Sequence, residues 1–162
     1  MAYEKKAKFS KVLVAIDGSD HSMKAAEYAI DIARDNKAQL IALTVLDISK
    51  VGYAASAFIA SPMYGLEKLE RKRKEAHEWL DKAGKLTSQK SNDDNNNNDV
   101  QFKPQIEESM SVAGTIVDFA ENQNIDLIVV GSRGQSSFRK LLLGSAASTV
   151  VTYAICPVLV IK

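Results

Sequence analysis

Three glycines and a serine near the end of the chain have the types and spacing of a phosphate-binding loop. Gly131 and Gly134 follow an apolar run at 126–130 that is typical of a buried parallel strand. Gly144 and Ser145 precede a run of small and β-branched residues, so we predict that Ser145 opens a helix by accepting a first-turn N–H. Glycines allow a positive φ and a close approach to an anion, and a helix N-terminus favours phosphate.

The same glycines could serve only as turns, without any ligand. Two common phosphate motifs are excluded, because no lysine precedes Ser145 and the spacing is not Gly-x-Gly-x-x-Gly. The chain is therefore predicted to be neither a P-loop NTPase nor an ordinary dinucleotide-binding protein.

Asp17 is a second candidate, at the end of the first predicted strand. Ligands of open α/β sheets bind outside the carboxyl ends of the strands, where the strand order reverses. If the first and fourth strands are neighbours, Asp17 faces the glycine loop and offers a carboxylate to a ribose hydroxyl or to a phosphate-bridging metal ion. The alternative is that Asp17 only accepts hydrogen bonds from N–H groups of its own turn.

Strand-like and helix-like segments alternate, which predicts an α/β fold with a mainly parallel sheet. Ser19 or Asp20 can cap the first helix. The predicted strands lie at 11–16, 39–45, 100–106, 126–130 and 158–161, and the predicted helices at 21–35, 62–86, 111–122 and from 145 onward.

Length and composition predict a single domain over 1–162 with net charge +1. We interpret residues 1–10 as a polar N-terminal tail and 88–99 as an Asn-rich, disordered loop insertion. The segment 47–61 is irregular and apolar, either a surface for a partner or loop packing. The charge balance and the lack of a long apolar run predict no nucleic-acid partner, no membrane association and a cytoplasmic location.

The residues that catalysis would need are not recognisable. His21 and His77 lack a second ligand at metal-binding spacing, and Cys156 lies in an apolar stretch typical of a buried, unreactive thiol. The basic run 71–74 is interpreted as a solvated helix face. No catalytic residue is predicted.

Together these features resemble the nucleotide-binding branch of the universal stress protein family. The family motif Gly-x2-Gly-x9-Gly-Ser/Thr is matched by Gly131, Gly134, Gly144 and Ser145, while 12–19, 43–45 and 156–160 resemble the family's first, second and last strands. Residues 109–111 read Ser-Met-Ser where many members have Gly-x-Pro. The resemblance implies an open five-stranded parallel sheet of order 3-2-1-4-5 with helices on both faces, Rossmann-like and adenine nucleotide alpha hydrolase-like.

The resemblance also implies an ATP site, with Mg or Mn at Asp17, and a homodimer joined through Val158–Ile161. The residues expected around the base and ribose are Ala15, Ile16, Asp17 and Val45, the last through its backbone. Those expected along the ribose and phosphates are Val130, Gly131, Arg133, Gly134, Gly144, Ser145 and Ala146.

The preferred hypothesis is an ATP-binding switch or interaction module of the stress response, with a protein partner that is unknown. A nucleotide motif without a recognisable catalytic set favours it. The first alternative is a slow ATPase or phosphotransferase that uses the same site. The second is a nucleotide-free dimeric interaction protein.

Overall fold

The computed structural model describes residues 9–49, 62–93, 100–135 and 143–162, with side chains of the long second helix described over 65–89. The strands are β1 (Lys11–Ala15), β2 (Gln39–Asp47), β3 (Phe102–Ser109), β4 (Leu127–Gly131) and β5 (Val158–Ile161). The helices are α1 (Asp20–Asn36), α2 (Pro62–Asp93), α3 (Val112–Asn122) and α4 (Ser145–Tyr153). All strand pairs are parallel in the order β3-β2-β1-β4-β5, which confirms the predicted fold.

Alternate residues of the buried strands supply two cores, one on each face of the sheet. Val12 and Val14 of β1 pack with α1 and α2, whereas Leu13 packs with α3 and α4. Ile128 and Val130 of β4 also face α3 and α4. Helices on both faces explain why the central strands are largely apolar runs that do not alternate with polar residues.

The bounds of β3 differ by two and three residues from the predicted 100–106, and two predictions about polar segments were wrong. Helix α2 continues to Asp93, so 88–93 is helical and not loop. The hydroxyls of Thr87 and Ser88 donate to carbonyls one turn back, and no glycine or proline interrupts 85–93, so polarity alone did not end the helix. The predicted tail also ends earlier, because Phe9 packs on the core and the Ser10 N–H donates to Asp126 at 2.7 Å. Residues 1–8, 50–61 and 94–99 lie outside the described residues.

The turn between β1 and α1 is fixed from both sides. Ser19 caps α1 by accepting from the Ser22 N–H at 3.2 Å, as predicted. Gly18 has φ +80°, and the ring of Trp79 from α2 lies where a Gly18 side chain would be. The turn that carries Asp17 is therefore held between α1 and α2.

Thr44 in β2 is buried, and its hydroxyl has no hydrogen-bond partner among the described residues. A buried hydroxyl without a partner costs about 1–3 kcal/mol. We therefore expect Thr44→Val to raise the free energy of unfolding by about 1 kcal/mol, a Tm increase of about 2–4 °C. Thermal unfolding followed by circular dichroism measures this. A lower Tm would contradict the prediction, and Thr152→Val, on an exposed helix position, is the control.

Candidate functional site

The sheet order brings the turn after β1 next to the loop after β4. Asp17 Oδ2 accepts from the Gln135 N–H at 3.2 Å, and the Ser19 hydroxyl lies 3.4 Å from the Arg133 carbonyl oxygen. The sequence order reverses between β1 and β4, the position where open α/β sheets bind ligands. The expectation that Asp17 faces the glycine loop is confirmed.

The Asp17 carboxylate also organises its own turn. Oδ1 accepts from the Ser19 N–H at 3.0 Å and from the Ser19 hydroxyl at 2.6 Å. The carboxylate therefore satisfies its own turn and also bonds to the loop after β4, while its bond to a ribose or a metal ion stays a prediction. One side chain connects residues 17–19 with 133–135.

Gly131 and Gly134 of the motif both permit close contacts, but of different kinds. A Cβ on Gly131 would lie 2.7 Å from the His21 carbonyl carbon and 2.9 Å from the Ser22 nitrogen. A Cβ on Gly134 would lie 2.6 Å from Asp17 Oδ2. None of Gly131, Gly134 and Gly144 has a positive φ, so close approach and not backbone conformation is what glycine allows at these positions.

The N-cap of helix α4 lies one residue earlier than predicted. Gly144, with φ −60° and ψ 150°, is the N-cap residue, and Ser145 is the first helical residue. The prediction that Ser145 caps the helix is therefore wrong. The first helical bond is donated by the Ser148 N–H to the Gly144 carbonyl oxygen at 2.8 Å, and Gly144 has no side chain that could bond to the first-turn N–H groups. Such N–H groups suit an anion.

A cavity of about 460 Å³ opens between these elements. All of the predicted site residues line it: Ala15, Ile16, Asp17, Val45, Val130, Gly131, Arg133, Gly134, Gly144, Ser145 and Ala146. The structure thus brings the whole predicted set together around one space. The contact that each makes with a ligand stays a prediction.

Further lining residues were not predicted from the sequence. They are Ser22, Leu43, Asp47, Lys72, Val112, Ile116, Gln135, Ala147 and Val150. Asp47 ends β2, so the rule that used Asp17 could have found it. Most of the others are apolar core positions, whose patterns do not distinguish a cavity wall from packed core.

The cavity lining combines apolar and polar residues. Leu43 and Ile116 line it and belong to the core cluster that includes α3 and α4. Polar groups come from the first turn of α4 with the loop after β4 at one end, and from Asp47 and Lys72 near the carboxyl end of β2 at the other. An elongated ligand with an apolar, flat group and an anionic group fits this arrangement.

In the described part of the chain, histidines, cysteine and carboxylates form no group of three or more that could hold a metal ion. A metal at Asp17 would need further oxygen ligands from a bound phosphate. Cys156 is half-buried, and burial raises the pKa of its thiol. Among the described helices, none is long and apolar enough to cross a membrane.

Comparison with known proteins identifies the family. The model of the universal stress protein family matches residues 8–162. The chain belongs to the universal stress protein family. This universal stress protein is similar to Universal stress protein MJ0531 of Methanocaldococcus jannaschii, with 35% identity over 95% of this chain and 82% of that protein.

Solved structures show the same fold. The universal stress protein UspA from Lactobacillus plantarum has a TM-score of 0.76 and 28% identity, over 97% of this chain and all of that one. A universal stress protein in complex with cAMP has a TM-score of 0.65, with 21% identity over 96% of this chain and 98% of that one. One from Archaeoglobus fulgidus in complex with dAMP has a TM-score of 0.62, with 19% identity over 96% of this chain and all of that one.

Proposed function

We propose that this universal stress protein binds ATP in the cavity at the carboxyl ends of β1, β2 and β4, and acts as a nucleotide-dependent switch in the stress response. The proposal is supported by one observation, that three features line the same cavity. The first turn of α4 has no side-chain cap, the glycine loop approaches within reach of Asp17, and an apolar wall continues between them.

The cavity residues fit the parts of ATP. Backbone N–H groups of residues 145–147 and the Ser145 hydroxyl would bind the phosphates, and Arg133 would add positive charge. The apolar wall with Val45 would hold adenine, whose edge bonds to the Val45 backbone. Asp17 would accept from a ribose hydroxyl or bind a Mg or Mn ion that the phosphates also bind.

The short distance between Gly134 and the Asp17 carboxylate supports this placement of ATP. The missing Cβ leaves room beside Asp17 Oδ2 that any larger residue would fill. Structural neighbours whose names include cAMP and dAMP make an adenine nucleotide the natural ligand class. We choose ATP within that class because the glycine motif and the first turn of α4, whose N-cap Gly144 makes no side-chain bond, offer several N–H donors to phosphates.

A switch requires that the ligand bind two states with different affinity. Asp17 provides the connection, because its Oδ2 holds the Gln135 N–H while its Oδ1 holds Ser19. A ribose or metal that engages Oδ2 competes with the Gln135 bond and so changes the loop at 133–135. A protein partner that reads this surface would then distinguish the loaded state from the empty one.

The test is mass spectrometry of nucleotide released from freshly purified, denatured protein, followed by ATP titration calorimetry with and without Mg²⁺ or Mn²⁺. We expect recovered ATP or saturable ATP binding. Absence of both would overturn the proposal and favour the nucleotide-free interaction protein. The proposal assigns no catalytic residue, and steady ADP release by the purified protein would favour the slow ATPase or phosphotransferase instead.

We also propose a homodimer through β5. The two sheet edges differ, because β3 carries exposed Lys103 and Pro104, which hinder strand pairing, whereas β5 is apolar throughout. Exposed apolar side chains lie just before β5, with Tyr153 at 68% and Ile155 at 73% exposure. An isolated chain would leave this apolar edge in water, so a second copy is the partner that best covers it.

Val160→Lys should shift the protein toward monomer or reduce its solubility, because it places a charge in the apolar edge strand. Size-exclusion chromatography with light scattering measures the mass of the wild type and the variant. Gln105→Lys, which adds the same charge to the opposite edge strand, is the control and should leave the mass unchanged. A soluble Val160→Lys dimer would count against this interface.

A further inference from the structure

Lys72 occupies an unusual position in α2. It lies between Leu69 and Ala76, both buried in the cluster beneath the helix, and Trp79 continues the same face. The spacing of three, four and three residues marks the inward face of a helix, where apolar residues are expected. An ammonium group on this face needs a polar environment, because its charge is costly to bury unpaired.

The structure shows where the Lys72 ammonium goes. Its side chain is half-buried and lines the cavity, and Nζ donates to the Asp47 carbonyl oxygen at 3.4 Å. That bond is long, and within the described residues it is the one bond that Nζ makes, so the ammonium has further donors for a ligand. The neighbouring Arg73 instead pairs with Glu70 and Glu108 on the surface.

Lys72 is separated from the phosphate end of the cavity. Its carbonyl partner ends β2, whereas the glycine loop follows β4, and β1 lies between them. Two strand spacings place these ends about 10 Å apart. A nucleotide whose phosphates bind at α4 therefore presents its base, and not its phosphates, toward Lys72.

We infer that Lys72 is a base-recognition residue, whose ammonium donates a hydrogen bond to an acceptor atom on the edge of the bound purine. The inference rests on the proposed nucleotide site. Ring nitrogens of adenine are acceptors and the ammonium is only a donor, so the pair is complementary. A charge-assisted bond in a partly desolvated cavity contributes to affinity and fixes the orientation of the base.

The test compares Lys72→Met with wild type, since methionine keeps the length and apolar stem but removes the donor. ATP affinity is measured by calorimetry, and adenosine affinity by displacement of a fluorescent ATP analogue. We expect Lys72→Met to lower the affinity for ATP and the affinity for adenosine by the same factor, about 10- to 100-fold. Lys74→Met, an exposed lysine of the same helix, is the control and should bind like wild type.

The outcomes separate this inference from the proposed function. Unchanged ATP affinity in Lys72→Met overturns the inference and leaves the ATP site in place. Weaker binding of ATP with unchanged binding of adenosine also overturns it, because Lys72 would then act on the phosphates. Adenosine that does not compete on wild type overturns it as well, because a charge-assisted bond to the base would contribute to adenosine affinity too. If the wild type binds no ATP, the proposed function is overturned, and the inference that rests on it is overturned with it. An equal loss of affinity in Lys74→Met would show that the effect comes from the overall positive charge, and it would also overturn the inference.

Discussion

Gly134→Val should weaken ATP binding by about 100-fold or more while the fold persists. A Cβ at this position would lie 2.6 Å from Asp17 Oδ2, and valine adds two methyl groups beyond it. Either the Asp17 side chain moves, which breaks its bond to the Gln135 N–H, or the loop moves away from the cavity. Both responses disturb the surface that binds the ribose and phosphates, and a loss of ~2.7 kcal/mol corresponds to that factor. Titration calorimetry measures it.

A graded pair of alanine variants serves as the control. Gly134→Ala adds one methyl against the far end of a flexible side chain, so its loss of affinity should be smaller than that of valine. Gly84→Ala, in α2 and outside the cavity lining, meets only the Phe102 ring at 3.2 Å and should bind ATP normally. Wild-type affinity in Gly134→Val would remove the glycine loop from the proposed site.

Much of the sheet was predictable because its central strands are buried on both faces. Apolar runs such as 11–16 and 158–161 lack the alternation of polar and apolar residues that is typical of a half-buried strand. The rule that ligands bind at the carboxyl ends of strands placed Asp17 correctly beside the loop after β4. Family resemblance added the strand order, which local patterns alone do not determine. The match of β5 to its predicted bounds follows from the proline at 157, which marks its start.

The missed features depend on tertiary contacts. Ser145 was expected to cap α4, but the preceding Gly144 carries the cap geometry, and a serine works equally well as a first helical residue. Residues 88–93 looked too polar for structure, yet a helix needs no further apolar residues once Leu80 and Ala83 have joined the core. Lys72 was grouped with a solvated basic run, and only the course of α2 over β2 shows that it turns to the cavity.

The bonds around Asp17 also explain how one motif can contribute both to the stability of the fold and to nucleotide binding. The bonds of Asp17 join the turn after β1 to the loop after β4, and Trp79 holds the same turn from α2. A ligand at Asp17 would therefore meet a side chain that bonds both to the turn and to the loop. The glycines on either side of Arg133 divide these tasks, since each meets a different neighbour.

Gly131→Ala should destabilise the fold rather than the nucleotide site. The new Cβ would lie 2.7 Å from the His21 carbonyl carbon and 2.9 Å from the Ser22 nitrogen, both of them backbone atoms near the start of α1. Backbone cannot rotate away as a side chain can, so β4 and α1 must separate. We expect the free energy of unfolding to fall by about 3 kcal/mol and the Tm by about 6–12 °C. Urea unfolding and thermal scans, both without nucleotide, measure these changes.

Gly134→Ala is the matched control, with the same substitution three residues along the same loop. Its Cβ meets a carboxylate oxygen that can move, so its Tm without nucleotide should stay near that of wild type. A Gly131→Ala protein as stable as wild type would show that α1 shifts without cost. The opposite pattern, with stability lost at Gly134 and kept at Gly131, would reverse the two assignments. Gly131 therefore affects stability, because a Cβ there would meet backbone atoms. Gly134 affects affinity, because a Cβ there would meet the Asp17 carboxylate.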